Sequence, residues 1–144
     1  MSRNYLPEAL RQRVIETARH FCGYCLTAED ISGAQMQIEH IIPLAQGGTS
    51  DEENLWLACA WCNSHKGAQT RGIDPDTGTE VNLFNPRAQI WAEHFRWSDT
   101  ETEIIGRTPC GRATVATLRL NNEYIVPARR NWIRAGWHPP QSNR

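Results

Sequence analysis

Lysine is nearly missing from this chain of 144 residues, and long apolar runs are missing altogether. Of its 15 basic residues only Lys66 is not an arginine, so arginine furnishes almost all of whatever basic surface the chain presents. No stretch approaches the roughly 20 apolar residues that a membrane helix needs. Residues Met1 to Pro7 also lack the apolar core of a signal peptide. A soluble, cytoplasmic protein with no membrane partner is therefore expected. Internal repeats, low-complexity tracts and flexible linkers are absent too, and the length suits one domain of ordinary size with an extension. Neither sign of charge dominates, the net being −1. That balance conceals an asymmetry. Residues 29–53 carry six acids and no Lys or Arg, and residues 74–103 carry seven acids against two arginines. Residues 104–144 carry seven arginines against Glu123 alone.

Cysteine is scarce but ordered. Four of the five form two C-x-x-C pairs, Cys22-Gly23-Tyr24-Cys25 and Cys59-Ala60-Trp61-Cys62, with 33 residues between them. C-x-x-C is metal-ligand spacing, and four thiolates are the donor set of a closed tetrahedral structural zinc site. Cys110 lies outside the pairs and reads as a small buried apolar side chain. Gly23 would let the backbone turn tightly around the metal.

Apolar residues Leu10, Val14, Ala18 and Phe21 recur at helical spacing, which predicts a helix over about 7–20 that delivers the first Cys pair. A short strand is expected over 36–42, stopped by Pro43, with a return strand over 54–58 beyond the turn cluster Gly47-Gly48-Thr49-Ser50-Asp51. A helix from Cys62 to about Thr70, stopped by Gly72, would complete a ββα unit. Farther on, Asp74-Pro75-Asp76-Thr77-Gly78 reads as a tight turn after the zinc-framed unit. Helices are expected over 86–95, after Thr108-Pro109, and in a last segment ending near Gly136, with strands at 95–97 and 103–105.

The chemistry lies between the Cys pairs. Glu39-His40 puts a carboxylate beside an imidazole near a strand end, and Asn54 and Asn63 follow. A neutral imidazole can lift a proton from water near neutral pH, which makes His40 the candidate general base. Lys66, four residues after Cys62, suits a phosphate or, equally, a solvated cap of a short helix.

Residues 22–67 resemble an HNH endonuclease, a ββα-metal nuclease with a four-cysteine zinc frame. The resemblance implies an α+β fold: a nuclease core over 1–73 and a mixed α/β C-terminal extension over 74–144, basic after 104. It implies that Glu39, where the pattern usually has Asp, ligates a catalytic cation. Asn54 would pin the hairpin loop so that a backbone carbonyl orients the imidazole. Asn63, directly after the last Cys, would supply a second oxygen to Mg²⁺ or another divalent cation. His65 could be the displaced third family residue, a phosphate contact or an exposed side chain. Leu83-Phe84-Asn85-Pro86-Arg87, His94-Phe95 and Gly111-Arg112-Ala113-Thr114-Val115 resemble an extension of some small bacterial HNH proteins. The expected function is metal-dependent hydrolysis of phosphodiester bonds in double-stranded DNA. Lys66, His65, Arg129, Arg130 and Arg134 are the candidate DNA contacts. The six tryptophans read mainly as core, with base stacking as the other use.

A non-catalytic zinc module that binds nucleic acid explains the cysteines and the basic tail, but not Glu39-His40 and Asn63. A zinc deaminase would need His-x-Glu and Pro-Cys-x-x-Cys, whereas here the acid precedes the histidine and Ala58 precedes Cys59.

Overall fold

A computed structural model describes residues 5–140; the start of the Met1–Pro7 segment and Arg144 of the basic stretch lie outside them. The fold is α+β and divides into two compact units, residues 1–70 and 71–144. No helix among the described residues is long and apolar enough to cross a membrane.

The first unit begins with α1 (Glu8–Thr17), entered through Pro7. It stops short of the expected residue 20 because Arg19 and His20 take positive φ and turn the chain toward the first Cys pair. Val14 of α1 packs with Leu6 and Leu55 in a small apolar core, joined by Leu10 and Ile38. A single turn, α2 (Glu29–Ser32), precedes β1 (Gln37–His40). This strand pairs antiparallel with β2 (Leu55–Ala58), setting His40 opposite Leu55 and Gln37 opposite Ala58. All four residues of β2 are buried, as a strand covered on both faces requires.

Helix α3 (Ala60–Lys66) follows directly, and the Cys59 sulfur caps it by accepting from the Cys62 N–H at 3.4 Å. It ends at Gly67, whose φ of 54° suits glycine, and not at Gly72. Gly72 instead lies in β3 (Arg71–Ile73), which pairs with β4 (Glu80–Asn82). The Asp74–Gly78 turn is thus the turn of a hairpin, for which the short, mostly polar flanks give no strong alternating signal.

In the second unit the expected helix over 86–95 contracts to α4 (Trp91–His94). Asn85 explains the loss, since its side-chain oxygen accepts from the N–H groups of Arg87 and Ala88 and offers the backbone a competing turn. Strands β5 (Phe95–Trp97) and β6 (Ile104–Gly106) pair antiparallel. Helix α5 (Pro109–Leu118) starts at Thr108, whose hydroxyl accepts from the Gly111 N–H at 3.0 Å. A Cβ on Gly111 would collide with the His94 carbonyl, so glycine is what lets α5 approach so closely. The His94 ring is tied to Thr108 and Gln89 at 2.7 and 3.2 Å, a packing role. Asp74 is buried and accepts two hydrogen bonds from Arg112 of α5, each 2.9 Å. Helix α6 (Ile125–Ala135) carries Pro127 in its first turn, where no intrahelical N–H is needed.

Candidate active site

The two Cys pairs meet because one closes the turn after α1 and the other opens α3. Their four sulfurs lie within 4.8 Å of one another, with Cys25 Sγ and Cys59 Sγ 3.8 Å apart. Thiolates held at about 2.3 Å from a tetrahedral zinc would be spaced by about 3.8 Å, so donor set and spacing both fit a structural zinc. Burial raises the Cys22 thiol, whereas the hydrogen bond with Cys22 lowers Cys25. Sulfurs this close cannot all ionise without a cation among them. Among the described residues this is the one cluster of three or more His, Cys, Asp or Glu ligands.

Alternation along β1 turns Gln37 and Glu39 to one face, and α3 presents Asn63 and Lys66, three residues apart, to that face. The Asn63 amide donates to Gln37 Oε1 at 2.7 Å, and among the described residues its Oδ1 makes no protein hydrogen bond. Lys66 Nζ lies 3.7 Å from Glu39 Oε2 and donates to the Ile41 carbonyl at 3.0 Å. The Tyr24 hydroxyl donates to Glu39 Oε1. Both Glu39 and Lys66 are only 2% exposed. Burial raises the Glu39 carboxyl, against the opposing pull of Lys66 and Tyr24.

Glu39 Oε2 is buried and accepts no hydrogen bond. The orphaned carboxylate oxygen of Glu39 and the amide oxygen of Asn63 are both of the oxygen-donor type that a hard cation takes, which is the chemistry of the second metal that the resemblance implies. Lys66 neutralises that carboxylate in the meantime.

His40 ends β1, half-buried, with Nε2 3.0 Å from Ser50 Oγ. Burial and then the Lys66 charge lower its pKa, which keeps the imidazole neutral near neutral pH. Asn54 holds the intervening loop: its Oδ1 accepts from the Ile42 N–H at 2.9 Å, while Nδ2 donates to the carbonyls of Ile42 and Thr49 at 2.9 and 2.7 Å. A Cβ on Gly48 would strike the Ile42 carbonyl, so glycine is required beneath that clamp.

Strand, pinned loop, strand and helix, with thiolates at both ends, is the order of a ββα-metal unit. The HNH endonuclease family model matches residues 22–69. These residues are an HNH endonuclease domain. No curated protein and no solved structure matches the chain.

Within the HNH domain Glu39 meets Tyr24 and Lys66, His40 meets Ser50, Asn54 clamps the loop between Ile42 and Thr49, Asn63 meets Gln37 and the four cysteines cluster, but two phosphate contacts need correction. Lys66 is enclosed, its ammonium committed to Ile41 and Glu39, so as placed it meets no phosphate. In the second unit Arg129 is fully buried; it donates to the carbonyls of Thr102 and Leu120 and to Asn121 Oδ1, and lies 5.3 Å from the Trp97 ring centre. It ties chain segments together and faces no solvent. Arg130 and Arg134 are exposed on α6. The His65 ring stacks on Trp61 at 4.1 Å and its Nδ1–H donates to the Trp61 carbonyl. Trp56 and Trp91 are buried, whereas Trp137 is exposed.

Tyr24, Gln37 and Ser50 are site residues that sequence reasoning missed. Gln37 carried a usable signal, lying two residues before Glu39 on the same strand face. Tyr24 and Ser50 carried none, because each reaches its partner through a turn.

Proposed function

We propose that this chain is a divalent-cation-dependent endonuclease that hydrolyses phosphodiester bonds in double-stranded DNA, with a structural zinc on Cys22, Cys25, Cys59 and Cys62. One observation carries the reading most: the neutral imidazole of His40 has one nitrogen held by Ser50 and its other nitrogen without a protein partner among the described residues. That nitrogen lifts a proton from water as the water oxygen attacks phosphorus; the P–O bond to the leaving sugar oxygen breaks, that oxygen takes a proton from solvent to leave as the hydroxyl, and the imidazolium returns its proton to solvent. Glu39 and Asn63 would hold the cation, which when bound neutralises charge on the phosphate oxygens. Asn54 keeps the loop, and with it the imidazole, in place. Exposed Arg130 and Arg134 meet DNA phosphates.

The ammonium beside Glu39 favours a second reading, a zinc module that binds nucleic acid without cutting it, because Lys66 already supplies the charge that a cation would bring. Zinc-loaded protein incubated with supercoiled plasmid and a panel of divalent cations decides between them. Cleavage that disappears in His40→Ala supports the nuclease; plasmid left intact under every cation, yet shifted in a gel, supports the binding module.

A further inference from the structure

Among the described residues Ser50 is the one whose group hydrogen-bonds the His40 ring, and the loop that carries it is tied at several points. The Asn54 amide clamps Thr49 and Ile42, the Asn54 N–H donates to the Asp51 carbonyl at 2.9 Å, and the Ile41 N–H donates to the Asn54 carbonyl at 2.8 Å. Ser50 therefore sits between two residues, Thr49 and Asp51, that are each bonded to Asn54. Its hydroxyl lies 3.0 Å from Nε2, on backbone tied to Asn54 on both sides.

A neutral imidazole has one protonated nitrogen, and a base acts through the other. If Nε2 accepted from the Ser50 hydroxyl, the hydrogen would stand on Nδ1, and the open side of the ring could not take a proton. If Nε2–H donates to Ser50 Oγ, the Nδ1 lone pair faces outward. The second arrangement is also the one that strengthens during reaction, because an imidazolium donates a shorter, charge-assisted hydrogen bond to the same oxygen.

We propose that Ser50 is a positioning residue that fixes His40 as the Nε2–H tautomer and so aims Nδ1 at the attacking water. The assignment rests on the reading of His40 as the base and deepens it. Asn54 acts one step behind, by holding the loop that presents the hydroxyl.

Two measurements on the full-length, zinc-loaded protein test this. In ¹⁵N spectra of the imidazole, wild type should show one tautomer with the proton on Nε2. Ser50→Ala should give a mixture, at unchanged melting temperature and zinc content. In plasmid cleavage Ser50→Ala should lower kcat by about ten- to a hundredfold, the worth of a hydrogen bond to a charged group, with KM for DNA unchanged. Ser50→Thr, which keeps the hydroxyl, should restore both the spectrum and kcat. Wild-type kcat in Ser50→Ala, or an unchanged tautomer there, overturns the proposal while leaving His40 as base. Cleavage that survives His40→Ala overturns the reading of the base itself, and this assignment with it.

Discussion

The Lys66 ammonium lies 3.7 Å from Glu39 Oε2, with both side chains almost sealed from solvent. Removing one partner strands the other charge in a medium that solvates it poorly, whereas removing both leaves a gap that neutral groups can fill. The structural duty of Glu39 toward Lys66 can therefore be separated from the chemical one proposed for it toward a cation.

Lys66→Met and Glu39→Gln should each destabilise the protein, by up to about 3–5 kcal/mol for an uncompensated buried charge. The double variant should recover most of that in denaturant unfolding. It should not recover the cation requirement: the Mg²⁺ concentration for half-maximal cleavage should stay well above wild type, with zinc content unchanged. A double variant with wild-type Mg²⁺ dependence would remove Glu39 from the cation site.

Zinc should be present at about one equivalent and tightly held, since four thiolates bind it as a closed site. Cys59→Ser removes one ligand and also the sulfur that caps α3. It should lose both metal and helicity over the HNH domain by circular dichroism. A variant that melts like wild type would show that the frame is dispensable.

DNA affinity should fall steeply with salt, because each neutralised phosphate releases counterions with a slope of about 0.9 in log affinity against log salt. Replacing Arg130 and Arg134 together with glutamine should lessen that slope by up to about 1.8 units. Arg129→Gln should act differently, lowering the melting temperature and leaving the slope alone, because its guanidinium is spent on Thr102, Leu120 and Asn121. An unchanged slope in the double variant would move the DNA path off α6.

Acid should loosen the β3–β4 hairpin first in the second unit. Hydrogen bonds from Arg112 hold the Asp74 carboxyl well below the usual carboxylate range. Asp74 thus stays charged in the folded state where the unfolded chain would protonate it. The resulting stability is present above about pH 4 and lost as pH falls through the lower, folded value. Unfolding measured from pH 2 to 6 should lose part of its pH dependence in Asp74→Asn, together with some stability at pH 6. A parallel wild-type and variant profile would refute the assignment.

How far the sequence could be read depended on how local the physics was. The zinc frame, the β1–β2 hairpin and the Thr108-Pro109 start of α5 are written in short spacings of Cys, Gly, Thr and Pro, and the fold class follows from them. Asn85 undid the helix expected over 86–95 because a side-chain turn outcompeted a weak apolar period. Lys66 and Arg129 looked like solvent-facing cations, and no pattern announced that a carboxylate waited for one and a ring of carbonyls for the other. Tyr24 and Ser50 reach Glu39 and His40 only after the chain has folded back.

The helix capped by Cys59 carries a second cysteine of the cluster, Cys62, and then Asn63 and Lys66, within its seven residues. Their phase follows from the cap, because the Cys59 sulfur accepts from the Cys62 N–H and fixes where the first turn begins. Along this segment one residue is worth about 100° of rotation. A single inserted residue between Cys62 and Asn63 would leave every side chain of the site present in the chain, but would swing Asn63 from Gln37 and Lys66 from Glu39. Here a count of residues from the last cysteine is a statement about angle.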